Sequence, residues 1–150
     1  MKKTFRALIA ALVAGPLLAL TVGISTATAA PQTSCKTWVR VVDVSDNNKH
    51  PIDWKLVVKS HVAGAYIKNT EGTWYSNGFF KQDTTQATKA GIPWGVYHFA
   101  QPGKADPVAS AKWFVKNGGN QGQLPPALDL EVSKLNAAQT AAWAMKWLVT

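Results

Sequence analysis

A single cysteine, Cys35, stands in 150 residues. A disulfide framework within this chain is therefore excluded. Zinc sites built from grouped cysteine and histidine are excluded with it, since only three histidines are present and none of the usual ligand spacings occurs. Acids are also few: eight Asp and Glu face sixteen Lys and Arg, a formal net charge of +8. No basic stretch interleaves with aromatics in the manner of a nucleic-acid surface. No internal repeat or low-complexity tract stands out, and Gly118 to Gly122 is a local loop rather than a linker.

One long apolar run is present, Ala7 to Ile24, broken by Gly15-Pro16. It follows a basic start with Lys2, Lys3 and Arg6 and precedes the small residues Ala27-Thr28-Ala29. That order predicts a secretory signal peptide over residues 1–29, removed on export, rather than a retained membrane anchor. Losing its three cations takes the formal net charge from +8 to +5. A mildly basic exported protein suits an anionic partner such as a bacterial cell wall. Residues 30–40 read as a lead-in and 41–150 as one domain. Cys35 is then either free or paired to sequence that this chain does not contain.

Beyond residue 37 the pattern alternates. Strands are predicted over 38–45, 62–68, 92–100 and 127–132. Helices are predicted over 52–61, 78–90, 106–117 and 135–150, with Asp53 near one N-cap and Gly91 closing another helix. Strand and helix repeated four times imply an α/β fold with a parallel sheet under covering helices. Four units make either a small open sheet or half of an eight-unit β/α barrel, which typically needs about 250 residues.

Active sites in such sheets lie at the carboxyl ends of the strands. Asp43, Glu71, His98 and the pair Asp129/Glu131 all fall near those ends. Single acids there are commonly helix caps; four converging sets point to a shared site. Within Leu128-Asp129-Leu130-Glu131, strand alternation puts the two acids on one face, their Cα atoms roughly 6.5–7 Å apart. Acids that close do not titrate alike, and one tends to keep its proton. Glycoside hydrolysis uses such a pair, one acid protonating the leaving oxygen and a second carboxylate meeting the developing positive charge. A cation held by Asp43, Asp129, Glu131 and His98 is the weaker rival.

Seven Trp, three Tyr and five Phe are present. Sugar rings stack on aromatic faces, although core packing is the ordinary use of such residues. Trp94, Trp113, Trp143 and Trp147 read as core; Trp74 and Tyr75, in a loop, fit either role. Alternation turns Tyr97 toward the site with Gly95 and Phe99. It turns His98 to the opposite face, where a hydrogen-bonded structural histidine is the plainer reading.

Five segments together resemble glycoside hydrolase family 25, the Chalaropsis-type lysozymes or N-acetylmuramidases. They are Val42-Asp43-Val44-Ser45, Ile52-Asp53-Trp54, Ile67 to Gly72 (IKNTEG), Ala90 to Ala100 (AGIPWGVYHFA) and Leu124 to Glu131 (LPPALDLE). The resemblance implies a TIM-like β/α barrel, here about its first four βα units. It also implies hydrolysis of the β-1,4 bond between N-acetylmuramic acid and N-acetylglucosamine in peptidoglycan, without metal or organic cofactor. By position, Glu131 is similar to the family's general acid, Asp129 to the carboxylate assisting it and Asp43 to the strand-one acid of the same cluster. Glu71 and Tyr97, with His98 beside them, become substrate-binding candidates. The loop after Ser45 departs from the family pattern, with Lys49 where a glycine is usual. The family domain is also longer than this chain.

The expectation is a secreted, cell-wall-associated muramidase, poorly active at this length, whose half-barrel edges offer a route to self-association. Two alternatives remain: a wall protein that binds glycan without cutting it, and a chitinase-like glycosidase. The chitinase has a similar Asp-x-Glu pair, but the IKNTEG and Tyr97-His98-Phe99 segments argue against it.

Overall fold

The computed structural model describes residues 39–150. The expected signal peptide, most of the lead-in and Cys35 lie outside the described residues. Five strands form one sheet: β1 (Arg40–Val44), β2 (Val62–Glu71), β3 (Tyr75–Ser76), β4 (Trp94–Phe99) and β5 (Ala127–Asp129). Four helices accompany them: α1 (Trp54–Lys59), α2 (Phe80–Lys89), α3 (Pro107–Lys116) and α4 (Ala137–Leu148). The parallel order is β1-β2-β4-β5, and β3 returns antiparallel along the end of β2. The parallel strands curl as half of a β/α barrel with helices outside, the architecture expected from the alternation.

Local chemistry sets the boundaries. Asp53 caps α1 by accepting from the Leu56 N–H at 3.0 Å. Asp106 caps α3 through the Ala109 N–H at 2.9 Å, with Pro107 following in the first turn where no N–H is needed. Asn136 and Gln139 form a reciprocal capping box on α4. Gly91, at φ +73°, turns the chain out of α2.

The core lies between the sheet and the helices. Val44, Ala65, Ile67, Trp94 and Val96 point there from the strands and meet Trp54, Ala87, Phe114, Trp143 and Trp147. Three of the four tryptophans read as core are at least nine-tenths buried. The fourth, Trp113, is half-buried and donates its indole N–H to the Tyr75 carbonyl at 3.0 Å.

Two expectations on strands need correction. The fourth parallel strand, expected to reach Val132, stops at Asp129. It has β4 as its single partner, and that ladder ends where Phe99 pairs Asp129. Leu130 and Val132 are accordingly exposed. Strand two runs past its expected end at Lys68 to Glu71, through a bulge at Asn69: Lys68 pairs Tyr97 while Thr70 pairs His98. Asn77 supports this bulge, its side chain donating to the Lys68 carbonyl and its backbone N–H to that of Asn69, both at 2.8 Å.

Candidate active site

The bulge decides what reaches the open face of the sheet. Before it, alternation sends Tyr66 and Lys68 to that face and Ala65 and Ile67 to the core. The extra residue at Asn69 shifts the phase, so Thr70 turns inward against His98 and Glu71 turns out level with Phe99. From β1 the open face receives Asp43, level with Tyr66; from β4 it receives Gly95, Tyr97 and Phe99; from β5, Ala127 and Asp129. Gly95 has no side chain because Leu124 and the Tyr66 ring occupy the space that a Cβ would need. Leu124 thus floors this part of the barrel interior.

Asp43, Tyr66, Tyr97, Ala127, Asp129 and Glu131 line one hollow of about 270 Å³. Four of the six sequence-predicted site residues are therefore brought together: Asp43, Tyr97, Asp129 and Glu131. Asp129 is half-buried at the strand end, whereas Glu131, just past it, is exposed. The Asp129 carboxyl is pushed above the ordinary carboxylate range, by burial first, then by Glu131 and Asp43 beside it. Lys68 pulls weakly the other way. Tyr97 is 8% exposed. Burial, then Asp43 and Asp129, push its phenol well above the usual value, so it remains a neutral donor among the acids.

Glu71 reaches the same face without lining that hollow. One of its oxygens accepts from Lys68 Nζ and the other from Gln101 Nε2, both at 2.8 Å. Lys68 Nζ also sits 5.0 Å from the Tyr75 ring centroid and 4.9 Å from that of Phe99. These contacts hold Glu71 and the ammonium in one fixed arrangement on the flank of the acids.

His98 does not join them. It faces the helices and is fully buried. Its Nδ1 lies 2.8 Å from Thr70 Oγ1, and its ring stacks on Trp147 with centroids 5.5 Å apart. Burial lowers its pKa to about 4, so the ring is neutral in the core. As a substrate-binding candidate it is thus misplaced, for the reason alternation already supplies. It is thereby removed from the rival cation set, and among the described residues no three acidic, histidine or cysteine side chains are grouped to hold a metal ion.

Two participants were not singled out from sequence. Tyr66 lines the hollow, and Lys68 holds Glu71. Counting back by twos from Lys68 would have set both on the face of Asp43, and a lysine inside an apolar strand is itself a signal.

Residues 42–150 match the family model described as glycosyl hydrolases family 25. Lysozyme M1 of Streptomyces globisporus is 40% identical over 62% of this chain and 33% of its own length. The N,O-diacetylmuramidase of a Chalaropsis species is 38% identical over 54% of this chain and 49% of its own. Among solved structures, the bacterial lysozyme of Streptomyces coelicolor is 34% identical with a TM-score of 0.64, covering 75% of this chain and 56% of that one. The chain therefore spans between a third and somewhat over half of the length of these relatives.

Proposed function

This chain belongs to the family 25 glycosyl hydrolases, and from that premise we propose that it is a peptidoglycan hydrolase of lysozyme type acting outside the cell or at the wall. The observation that carries the proposal is the convergence of Asp43 of β1, Asp129 at the end of β5 and Glu131 just past it, far apart in sequence, around one hollow with Tyr97. The bond attacked is the β-1,4 linkage between N-acetylmuramic acid and N-acetylglucosamine.

Glu131, more open than Asp129 beside it, protonates the glycosidic oxygen as the bond to the anomeric carbon breaks. Asp129 and Asp43 face the positive charge that develops on that sugar ring. The Tyr97 phenol, held protonated, donates a hydrogen bond to the substrate. Glu71, fixed by Lys68 and Gln101, offers an acceptor on the flank of the cleft. Water completes the hydrolysis.

A second assignment rests on one observation. The surroundings of Asp129 favour its protonated form. Asp129 would then be the proton donor and Glu131 the assisting carboxylate.

Release of reducing ends from purified peptidoglycan separates the possibilities. Glu131→Gln is expected to lose on the order of a thousandfold or more in turnover, as removal of a general acid does; unchanged turnover would sink the main assignment. A larger loss in Asp129→Asn than in Glu131→Gln would favour the exchange of roles. Wild-type protein that is retained on peptidoglycan but releases nothing would favour glycan binding alone, and release from chitin in place of peptidoglycan would favour the chitinase-like alternative.

A further inference from the structure

Past Glu71 the chain turns through Gly72-Thr73-Trp74 into β3, carrying Trp74 beyond the strand end that holds the site. Trp74 is 54% exposed, an unusual position for the largest apolar side chain. It is not loose. Its six-membered ring lies over Gly72, where a Cβ of any other residue would collide with it. Gly72 is buried, takes φ +53°, and donates its backbone N–H to the Phe99 carbonyl at 3.3 Å, which ties the turn to β4. One side of the indole is therefore seated on backbone anchored to the sheet, while the ring keeps about half of its surface toward solvent.

We infer that Trp74, seated on Gly72, is a stacking platform for a saccharide ring of the glycan, outside the hollow where the bond is cut. The inference rests on the functional reading above for the identity of the ligand. Position supports it. Glu71, Phe99 and Asp129 stand level on successive strands, so Glu71 lies on the order of 10 Å from Asp129, two strand spacings away. Tyr75 stands level with Glu71 on β3, and Trp74 precedes it in the turn at the end of β2. A sugar at Trp74 would be a neighbour further along the same polymer and not one of the pair at the scissile bond. N-acetylated sugars present apolar C–H faces, and a rigid exposed indole binds such a face with little loss of side-chain freedom. Glu71, three residues before Trp74 in the chain and paired to Gln101 at 2.8 Å, offers a polar contact to the same glycan strand.

The test is equilibrium binding of soluble peptidoglycan glycan strands, short (disaccharide) and long (octasaccharide), to the intact chain, with turnover followed separately. Trp74→Ala is expected to weaken long strands roughly tenfold, about 1.4 kcal/mol. The short strand should be unaffected, and Trp74→Phe should keep most of the affinity. Gly72→Ala, which forces the ring off its seat, should weaken long strands in the same direction. Equal binding of long strands by wild type and Trp74→Ala overturns the inference, as does an equal loss for both lengths. A length-dependent loss in Trp74→Ala, together with unaltered turnover in Glu131→Gln, would keep the platform and discard the catalytic assignment, so the two fail separately.

Discussion

Tyr97 and His98 are adjacent in β4, yet one enters the hollow with Asp43, Asp129 and Glu131 while the other stacks on Trp147 beneath the helices. The two faces of this sheet treat ionisable groups in opposite ways. On the open face they are gathered and left in part to water: three carboxyls, two phenols and, on the flank, the Lys68–Glu71 pair. On the covered face the His98 imidazole is stripped of water, neutral and paired to Thr70. A titratable residue near a strand end is therefore ambiguous until its parity is known. Parity separates a group available for chemistry from one that only fills space.

The strongest way to break this contrast is to empty the covered face. His98→Ala removes a fully buried ring between Thr70, Phe114 and Trp147, and a loss of about 3 kcal/mol is expected from the cavity alone. Urea unfolding at neutral pH measures it, and glycan binding by the folded variant should match wild type. Weakened binding without lost stability would return His98 to the site. The histidine also carries a pH signature. Its folded pKa, about 4, lies below the ordinary histidine value of 6.5, so the unfolded chain takes up the proton more readily. Stability due to neutral His98 is whole above about pH 6.5 and drains away as the pH falls toward 4. His98→Phe, which cannot titrate, should flatten that part of the curve.

A smaller effect is expected where the open face touches its own support. Lys68→Met keeps the stem and removes the ammonium, leaving Glu71 with Gln101 alone. Breaking such a partly buried pair costs about 1–3 kcal/mol. The Asp129 carboxyl should titrate higher still, because the Lys68 ammonium pulls it down. Carboxyl-carbon NMR titration would detect the movement, and an unmoved Asp129 would mean that the two halves of the open face are electrically separate.

Much of this arrangement was legible in the chain. Alternating strands and helices, the cap at Asp53, and the opposite parities of Tyr97 and His98 follow from local rules. Glu71 was harder. Its arrival on the open face depends on the bulge at Asn69, which Asn77 sustains from another part of the chain, and no window around Lys68 to Glu71 reveals that partner. The early stop of β5 depends likewise on where its pairing with β4 ends. For the acid pair, the resemblance gave the proton donor's role to Glu131, while the difference in burial between Asp129 and Glu131 turns on which carboxyl the rest of the fold covers.

That difference gives the smallest effect and a direct probe of the open face. Burial and two neighbouring acids raise the Asp129 carboxyl above its usual range, so its charged form is disfavoured in the folded state. A group raised in this way contributes most stability at low pH, where it is protonated, and the contribution is lost as the pH rises through the folded value. At neutral pH the cluster thus costs stability, and Asp129→Asn, which keeps the shape without the charge, should recover part of it. Water screens a half-exposed carboxyl, so the gain should stay below about 1 kcal/mol. It should vanish in acid, where wild type is protonated as well. His98 works in the opposite sense, adding stability as the pH rises, so urea midpoints of Asp129→Asn and His98→Phe, each followed against pH, should depart from wild type at opposite ends of the curve. An Asp129→Asn variant less stable than wild type at neutral pH would mean that the carboxylate is held by favourable contacts. The open face would then be a structural ion cluster and not a site kept under electrostatic strain for its chemistry.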